Sequence, residues 1–223
     1  MYATTANYSK TRKITVLAAF AAVAAVLAMV VQIPVVLFLN YEPKDVVITF
    51  AGFLFGPMAV FALSLVVSFI EMVTVSNTGP IGFLMNVMST CAFACTAAYV
   101  YKKRQTIKGA VSGLILGILL ATAAMLQWNY IITPIYMGVP REVVVGMLLP
   151  VILPFNLIKG GLNAALTLLL YKPLTGALRA SRMLPEREEG EVSAQKWGLG
   201  VFLVSGLVLA SCAMVILIFQ GIL

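Results

Sequence analysis

The chain has 223 residues, of which 61% are hydrophobic and 10% are charged, and its formal net charge is +7. A soluble domain carries about a quarter charged residues, so this composition excludes an ordinary soluble protein and predicts an all-α, polytopic membrane protein. Most basic residues lie in short loops beside apolar runs, which is typical of membrane orientation and not of nucleic-acid binding. The apolar segments run over 14–36, 46–75, 80–101, 109–135, 143–171 and 197–222.

The first apolar segment follows a polar, basic stretch and contains "LAAFAAVAAVLAM". Its length of about 20 residues exceeds the core of a signal peptide, so it is predicted to be a retained helix. Small residues spaced four apart let helices approach closely. Packing within the chain and docking of another subunit are both open for these alanines, which are Ala18, Ala21, Ala22, Ala25 and Ala28.

The second segment, 46–75, is too long for one pass. As a single helix it would span about 45 Å, against a hydrocarbon core of roughly 30 Å. It contains "GFLFGP", and a Gly-Pro pair breaks or kinks helices. We therefore predict seven helices, with a short second helix meeting the third at "GFLFGP" towards the cytoplasmic side.

The distribution of charge favours the same topology. If the N-terminus is cytoplasmic and 46–75 passes twice, the loop "YKKRQTIK" and the linker 172–196 are also cytoplasmic. Twelve of the fifteen Lys and Arg residues then lie inside, as the positive-inside tendency requires. The C-terminus is predicted to be extracellular, and the exceptions to the charge rule are Lys44, Arg141 and Lys159.

Polar residues at membrane depth are the candidates for a functional site. In "ILPFNLIKGGLNAALTLLLY", Asn156, Lys159 and Asn163 lie at i, i+3 and i+7 and share one helix face. An intramembrane lysine costs roughly 3 kcal/mol and needs carbonyls, an acid or a ligand. A ligand-facing Lys159 is our prediction, with interhelical hydrogen bonding and snorkelling as alternatives. Glu71, near the outer end of the third helix, is expected to face water.

The remaining motifs argue against catalysis. The chain has no histidine and no G-x-x-x-x-G-K-[ST] phosphate loop, and we find no G-x-S-x-G elbow. Three cysteines lie inside apolar runs and are predicted to be small packing residues, not metal ligands or a redox pair. We therefore expect a binding protein of the membrane that is powered by something else, and not an enzyme.

Several motifs together resemble one family, the substrate-binding S components of energy-coupling factor (ECF) vitamin transporters, above all the riboflavin-specific ones. They are the alanine-rich first helix, "NYEPKD", "GFLFGP", the Asn of "GFLMN", "WNYIITP" and "LPFNLIKG", the last being the most specific. The resemblance covers about 14–175. It implies a six-helix substrate-binding domain over 1–175. The apolar and charge pattern adds a charged cytoplasmic linker at 176–196 and an additional C-terminal transmembrane helix at 197–223.

The resemblance also implies a ligand, partners and site residues. Riboflavin would enter from outside as the transported ligand, with no cofactor, and the first helix would dock on a coupling subunit served by two ATPase subunits in a bacterial cell membrane. By matching motifs, the ligand contacts would be Asn129, Asn156 and Lys159, and the residues that close or line the site would be Asn86, Tyr41 and Asp45.

Three alternatives stay open at this point. The ligand is another small aromatic or nucleobase-like molecule, the chain is a scaffold whose polar residues only join helices, or it is a stand-alone secondary carrier. Two features depart from the family pattern: "NYEPKD" is unusually charged, and the seventh helix exceeds the usual six.

Overall fold

The computed structural model describes residues 10–37, 39–76, 78–181 and 199–221. Within these ranges, six helical segments are long and apolar enough to cross a membrane, namely Lys10–Val30, Pro57–Thr74, Gly79–Arg104, Ile107–Met137, Arg141–Ala180 and Gly200–Phe219. The predicted all-α, polytopic membrane fold is confirmed.

The first helix ends earlier than the apolar pattern predicts. Helix α1 spans Lys10–Val30, and a two-stranded antiparallel hairpin follows, with β1 at Ile33–Val36 and β2 at Leu39–Tyr41. The predicted continuation of the helix to residue 36 is wrong. Pro34 has no amide hydrogen and biases the residue before it towards extended backbone, so the chain leaves α1 as a hairpin.

The long second segment is broken where "GFLFGP" predicts. Helix α2 spans Lys44–Phe55 and helix α3 spans Pro57–Thr74. Gly56 between them has φ 89°, a conformation that favours glycine, and Pro57 opens α3 at a position that needs no amide donor. At about 1.5 Å per residue, the 12 residues of α2 are too short for a full membrane span.

Two later segments contain a π-helical turn each. The elements are α4 (Gly79–Thr90), a π turn at Cys91–Cys95, α5 (Thr96–Arg104), α6 (Ile107–Met137), α7 (Arg141–Met147), a π turn at Leu148–Ile152 and α8 (Leu153–Ala180). A π turn inserts one residue into a helix and re-aims the side chains that follow, often at functional sites. The second π turn lies directly before α8, which has Pro154 in its first turn.

Helix α9 spans Leu199–Phe219 and packs against α8. Helix α8 itself continues to Ala180, past the predicted domain boundary at residue 175. Of the predicted linker 176–196, residues 182–196 lie outside the described residues.

The short helix α2 lies at the centre of the fold. All of its residues except Val47 are buried, and it packs against α1, α3, α5 and α8. Gly52 permits close approach of α3 and α5, since a Cβ there would lie 3.0 Å from the Ala98 Cβ and would also clash with Val60. Because neighbouring helices enclose α2 on every side, its N-terminal residues Lys44 and Asp45 are also buried.

Candidate functional site

Asp45, in the first turn of α2, is the centre of a buried polar cluster. Its side chain is 2% exposed. One carboxylate oxygen accepts a hydrogen bond of 2.7 Å from the Thr90 hydroxyl of α4. The other lies 3.5 Å from the Lys159 Nζ and 3.5 Å from the Asn163 Nδ2, both on α8. The N-terminus of a helix also favours a negative charge, so the Asp45 carboxylate is compensated on several sides.

Tyr41 connects the hairpin to this cluster. Its hydroxyl donates a 3.0 Å hydrogen bond to the Asn163 Oδ1, although the two residues are 122 positions apart. Burial, and then the nearby Asp45 carboxylate, raise the pKa of Tyr41 above its ordinary value. The phenol therefore stays protonated at neutral pH and keeps its role as donor. We call the set Tyr41, Asp45, Thr90, Lys159 and Asn163 the Asp45 cluster.

A second buried cluster begins one residue earlier. The Lys44 ammonium contacts the Glu71 carboxylate of α3 and lies 2.8 Å from the Glu42 Oε2. The Asn86 Nδ2 of α4 donates a 2.8 Å hydrogen bond to the other Glu71 oxygen. The expectation that Glu71 faces water is wrong, because its side chain is only 8% exposed. We call Glu42, Lys44, Glu71 and Asn86 the Lys44 cluster.

The structure brings three of the predicted ligand-site residues into one cluster. Tyr41, Asp45 and Lys159 meet as members of the Asp45 cluster. Asn163 joins them, and its spacing of four residues from Lys159 was the available sequence signal. Thr90 was missed, because one threonine in an apolar helix gives no signal of its own.

Asn129 and Asn156 bond within their own helical segments. The Asn129 Nδ2 donates to the Met125 carbonyl at 2.8 Å. The Asn156 Nδ2 donates at 2.8 Å to the Ile152 carbonyl, the last residue of the second π turn. Asn156 shares its helix face with Lys159, and α6, which carries Asn129, packs against α8. An amide nitrogen has two hydrogens, so each of these bonds occupies one donor and leaves the second for another acceptor.

The predicted docking alanines of α1 fall into a buried group and an exposed group. Ala21, Ala25 and Ala28 are buried inside the chain, where α1 packs on α2 and α3. Packing within the chain, one of the two alternatives open for these alanines, therefore applies to Ala21, Ala25 and Ala28. Ala18 and Ala22 are exposed. Ile14 and Val26, one turn away at either end, are 67% and 57% exposed and extend the same outward row.

The described residues do not form a metal site. Among the residues that the structure describes, no group of three or more His, Cys, Asp or Glu side chains is placed to hold a metal ion. Cys91 lies 3.2 Å from the Ser64 hydroxyl, and Cys212 lies on α9.

The fold and these clusters define a helical membrane protein whose ion-paired interior is built by α2, α3, α4, α8 and the hairpin. Residues 12–171 match the family model of the substrate-specific component of ECF transporters. The chain belongs to this family, which confirms the resemblance drawn from the sequence motifs.

Individual relatives agree with this assignment. The chain is 28% identical over 148 residues to the riboflavin transporter RibU of Staphylococcus aureus (strain TCH60), covering 64% of this chain and 78% of that protein. It is 34% identical over 113 residues to the riboflavin transporter RibU of Streptococcus thermophilus (strain ATCC BAA-250 / LMG 18311), covering 46% of this chain and 54% of that protein. The solved S component of a bacterial ECF transporter matches with a TM-score of 0.66 and 27% identity, over 77% of this chain and 99% of that chain.

Breaking the Lys44 cluster should destabilise the fold. We predict that Lys44→Met lowers the free energy of unfolding by about 3–5 kcal/mol, because it removes the cation from the buried Glu71 carboxylate. The measurement is the midpoint of thermal unfolding in detergent.

The matched control is the double variant Lys44→Met, Glu71→Gln. Glutamine keeps an acceptor for Asn86 but carries no charge, so this variant should recover most of the loss. Equal destabilisation of the single and double variants would show that the charge pair is not the cause.

Proposed function

We propose that this chain binds riboflavin from the outer side of a bacterial cell membrane and presents it to a separate coupling module. Family membership supports the role of substrate-binding subunit, and two relatives named as riboflavin transporters support the ligand. The observation that carries the proposal is the position of Lys159. Its ammonium is paired with Asp45, and Tyr41, a member of the same polar cluster, shares an apolar cluster with Phe155.

The chemistry of riboflavin fits these side chains. The flavin ring is flat and apolar on both faces, and its edge carries carbonyl and ring-nitrogen acceptors. Such a ligand needs aromatic or apolar contact surfaces and a few donors at fixed positions. Tyr41 and Phe155 belong to one apolar cluster, and Lys159, Asn156 and Asn129 supply the donors.

Each predicted residue then has a distinct part. Lys159, at 16% side-chain exposure, is far more accessible than Asp45 at 2%. Lys159, Asn156 and Asn129 contact the ligand in this proposal, whereas Asp45 and Tyr41 hold Lys159 and the hairpin in position. Asn86 acts through Glu71 and Lys44 at the wall of the site.

The energising partner docks on α1. We assign the docking surface to the exposed row of Ile14, Ala18, Ala22 and Val26, whose small central residues permit close approach of a partner helix. The partner is the ECF transmembrane coupling subunit with its two ATPase subunits. The N-terminus is cytoplasmic in this arrangement, on the same side as the basic last turn of α5 with Lys102, Lys103 and Arg104.

Riboflavin binding tests the ligand directly. The purified, detergent-solubilised protein should quench the fluorescence of added riboflavin, because a stacked flavin loses its emission. Quenching by the wild type together with none by a denatured sample is the expected result. A protein that leaves riboflavin unquenched but binds another nucleobase-like or aromatic compound would keep the family and replace the ligand.

Removal of the lysine tests the site. We predict that Lys159→Met raises the dissociation constant for riboflavin at least tenfold, since a hydrogen bond from a charged group contributes about 1.5–3 kcal/mol. The control is Lys172→Met, an identical change at an exposed position of the same helix. Equal affinities of the wild type and Lys159→Met would remove Lys159 from the site.

Enlarging the outward alanines tests the docking surface. We predict that the double variant Ala18→Leu, Ala22→Leu loses most riboflavin uptake in cells, because the added side chains hold the coupling subunit away, while riboflavin affinity of the purified protein is unchanged. The control pair, Ala123→Leu with Ala210→Leu, makes the same change on exposed faces of α6 and α9. Normal uptake by the α1 variant would show that coupling uses another surface.

A further inference from the structure

Helix α9 is fixed along the back of α8. Gly161 of α8 has no side chain, and a Cβ at this position would come within 3.3 Å of the Cys212 Sγ and 3.7 Å of Val208. Ser205, one turn before Val208, is 3% exposed. The remainder of α9 is largely exposed, as expected for a helix that faces lipid on its other sides. Its one packed face therefore lies against the helix that carries Lys159 and Asn163.

The same face of α9 completes the apolar cluster behind the candidate site. This cluster joins the hairpin to α8 through Val35, Tyr41, Phe155, Ile158 and Leu162. Three α9 side chains pack onto it, namely Leu209, Cys212 and Ile216. Helix α9 thus packs on the apolar cluster that contains Tyr41 and Phe155, and it also contacts strand β1 of the hairpin.

A polar contact at the end of α9 reaches the hairpin itself. The Gln220 Nε2 donates a 2.6 Å hydrogen bond to the Pro34 carbonyl, across 186 positions of sequence. Pro34 is part of β1 and is opposite Asn40 of β2, the residue before Tyr41. A two-stranded hairpin by itself is marginally stable, so it depends on what it packs against.

We propose that α9 is a brace for the hairpin and that Gln220 is a positioning residue for Tyr41. Gln220 holds Pro34, and Leu209, Cys212 and Ile216 hold the apolar underside of the hairpin. The hairpin in turn keeps the Tyr41 hydroxyl on Asn163, and Asn163 lies beside Asp45 and Lys159. The added helix is therefore part of the construction of the site, and through the hairpin it sets the rate of ligand release. This last step rests on the proposed function.

Hydrogen exchange of the full-length protein without ligand tests the brace. We expect Gln220→Met, which keeps the side-chain length but has no N–H donor, to speed amide exchange in peptides carrying β1 and β2 by roughly three- to tenfold. Exchange in α3 and α6, which lie away from the contact, should be unchanged. The matched control is Gln32→Met, because Gln32 precedes the same strand but bonds to the Ala28 carbonyl of α1.

A variant that restores the hydrogen bond to Pro34 distinguishes positioning of the hairpin from a general loss of stability. Gln220→Lys has N–H donors at similar reach, so it should return exchange of the hairpin towards the wild-type rate. Hairpin exchange at the wild-type rate in Gln220→Met, or equal acceleration in Gln32→Met, would overturn the brace.

The rate of riboflavin release tests whether the brace affects the site. With riboflavin bound, Gln220→Met should release it roughly three- to tenfold faster than the wild type. Faster hairpin exchange with unchanged release would overturn the effect on the site. If the wild type binds no riboflavin, the exchange result still decides the brace, so the failure of the proposed ligand is distinguishable from the failure of this inference.

Discussion

The site depends on one buried carboxylate at the start of α2. Removing an ion from water costs several kcal/mol, so its charge has to be compensated by groups at fixed positions. Asp45 obtains this compensation from Lys159 of α8, Thr90 of α4 and the N-terminus of α2. These groups reach Asp45 only when the three helices are docked in one register. The position of the hairpin depends on the same docking, because Tyr41 bonds to Asn163 in the same cluster.

The neighbouring Lys44 cluster likewise fixes the position of α2 against α3, through the ion pair of Lys44 with Glu71. Adjacent residues of opposite charge thus tie α2 to different helices, Lys44 to Glu71 and Asp45 to Lys159. This arrangement accounts for the charged segment "NYEPKD", since two of its charges are buried in ion pairs. It also accounts for Lys44 and Lys159 as exceptions to the positive-inside tendency, because each is paired with a carboxylate inside the fold.

The helices could be predicted from the sequence more completely than the site. The break at Gly56 and Pro57 and the helix of the last apolar segment were predicted correctly, and an acid was among the partners expected for Lys159. The burial of Glu71 was not predicted, because an acid near the end of a helix faces water or protein according to what packs beside it. The alanines of α1 show the same limit, since small-residue spacing indicates close packing without identifying the partner, and only the structure shows that Ala21, Ala25 and Ala28 are buried within the chain.

The sequence by itself determined which segments enter the membrane, where helices break, and which family the chain resembles. These properties are local, because hydropathy, proline and glycine act on a few adjacent residues. Only the tertiary structure decided which polar groups meet. Tyr41 and Asn163 are 122 positions apart, and Asp45 and Asn163 are 118 apart. Their pairing depends on the rotation and register of packed helices, which are set by the whole set of side chains that fill the space between them.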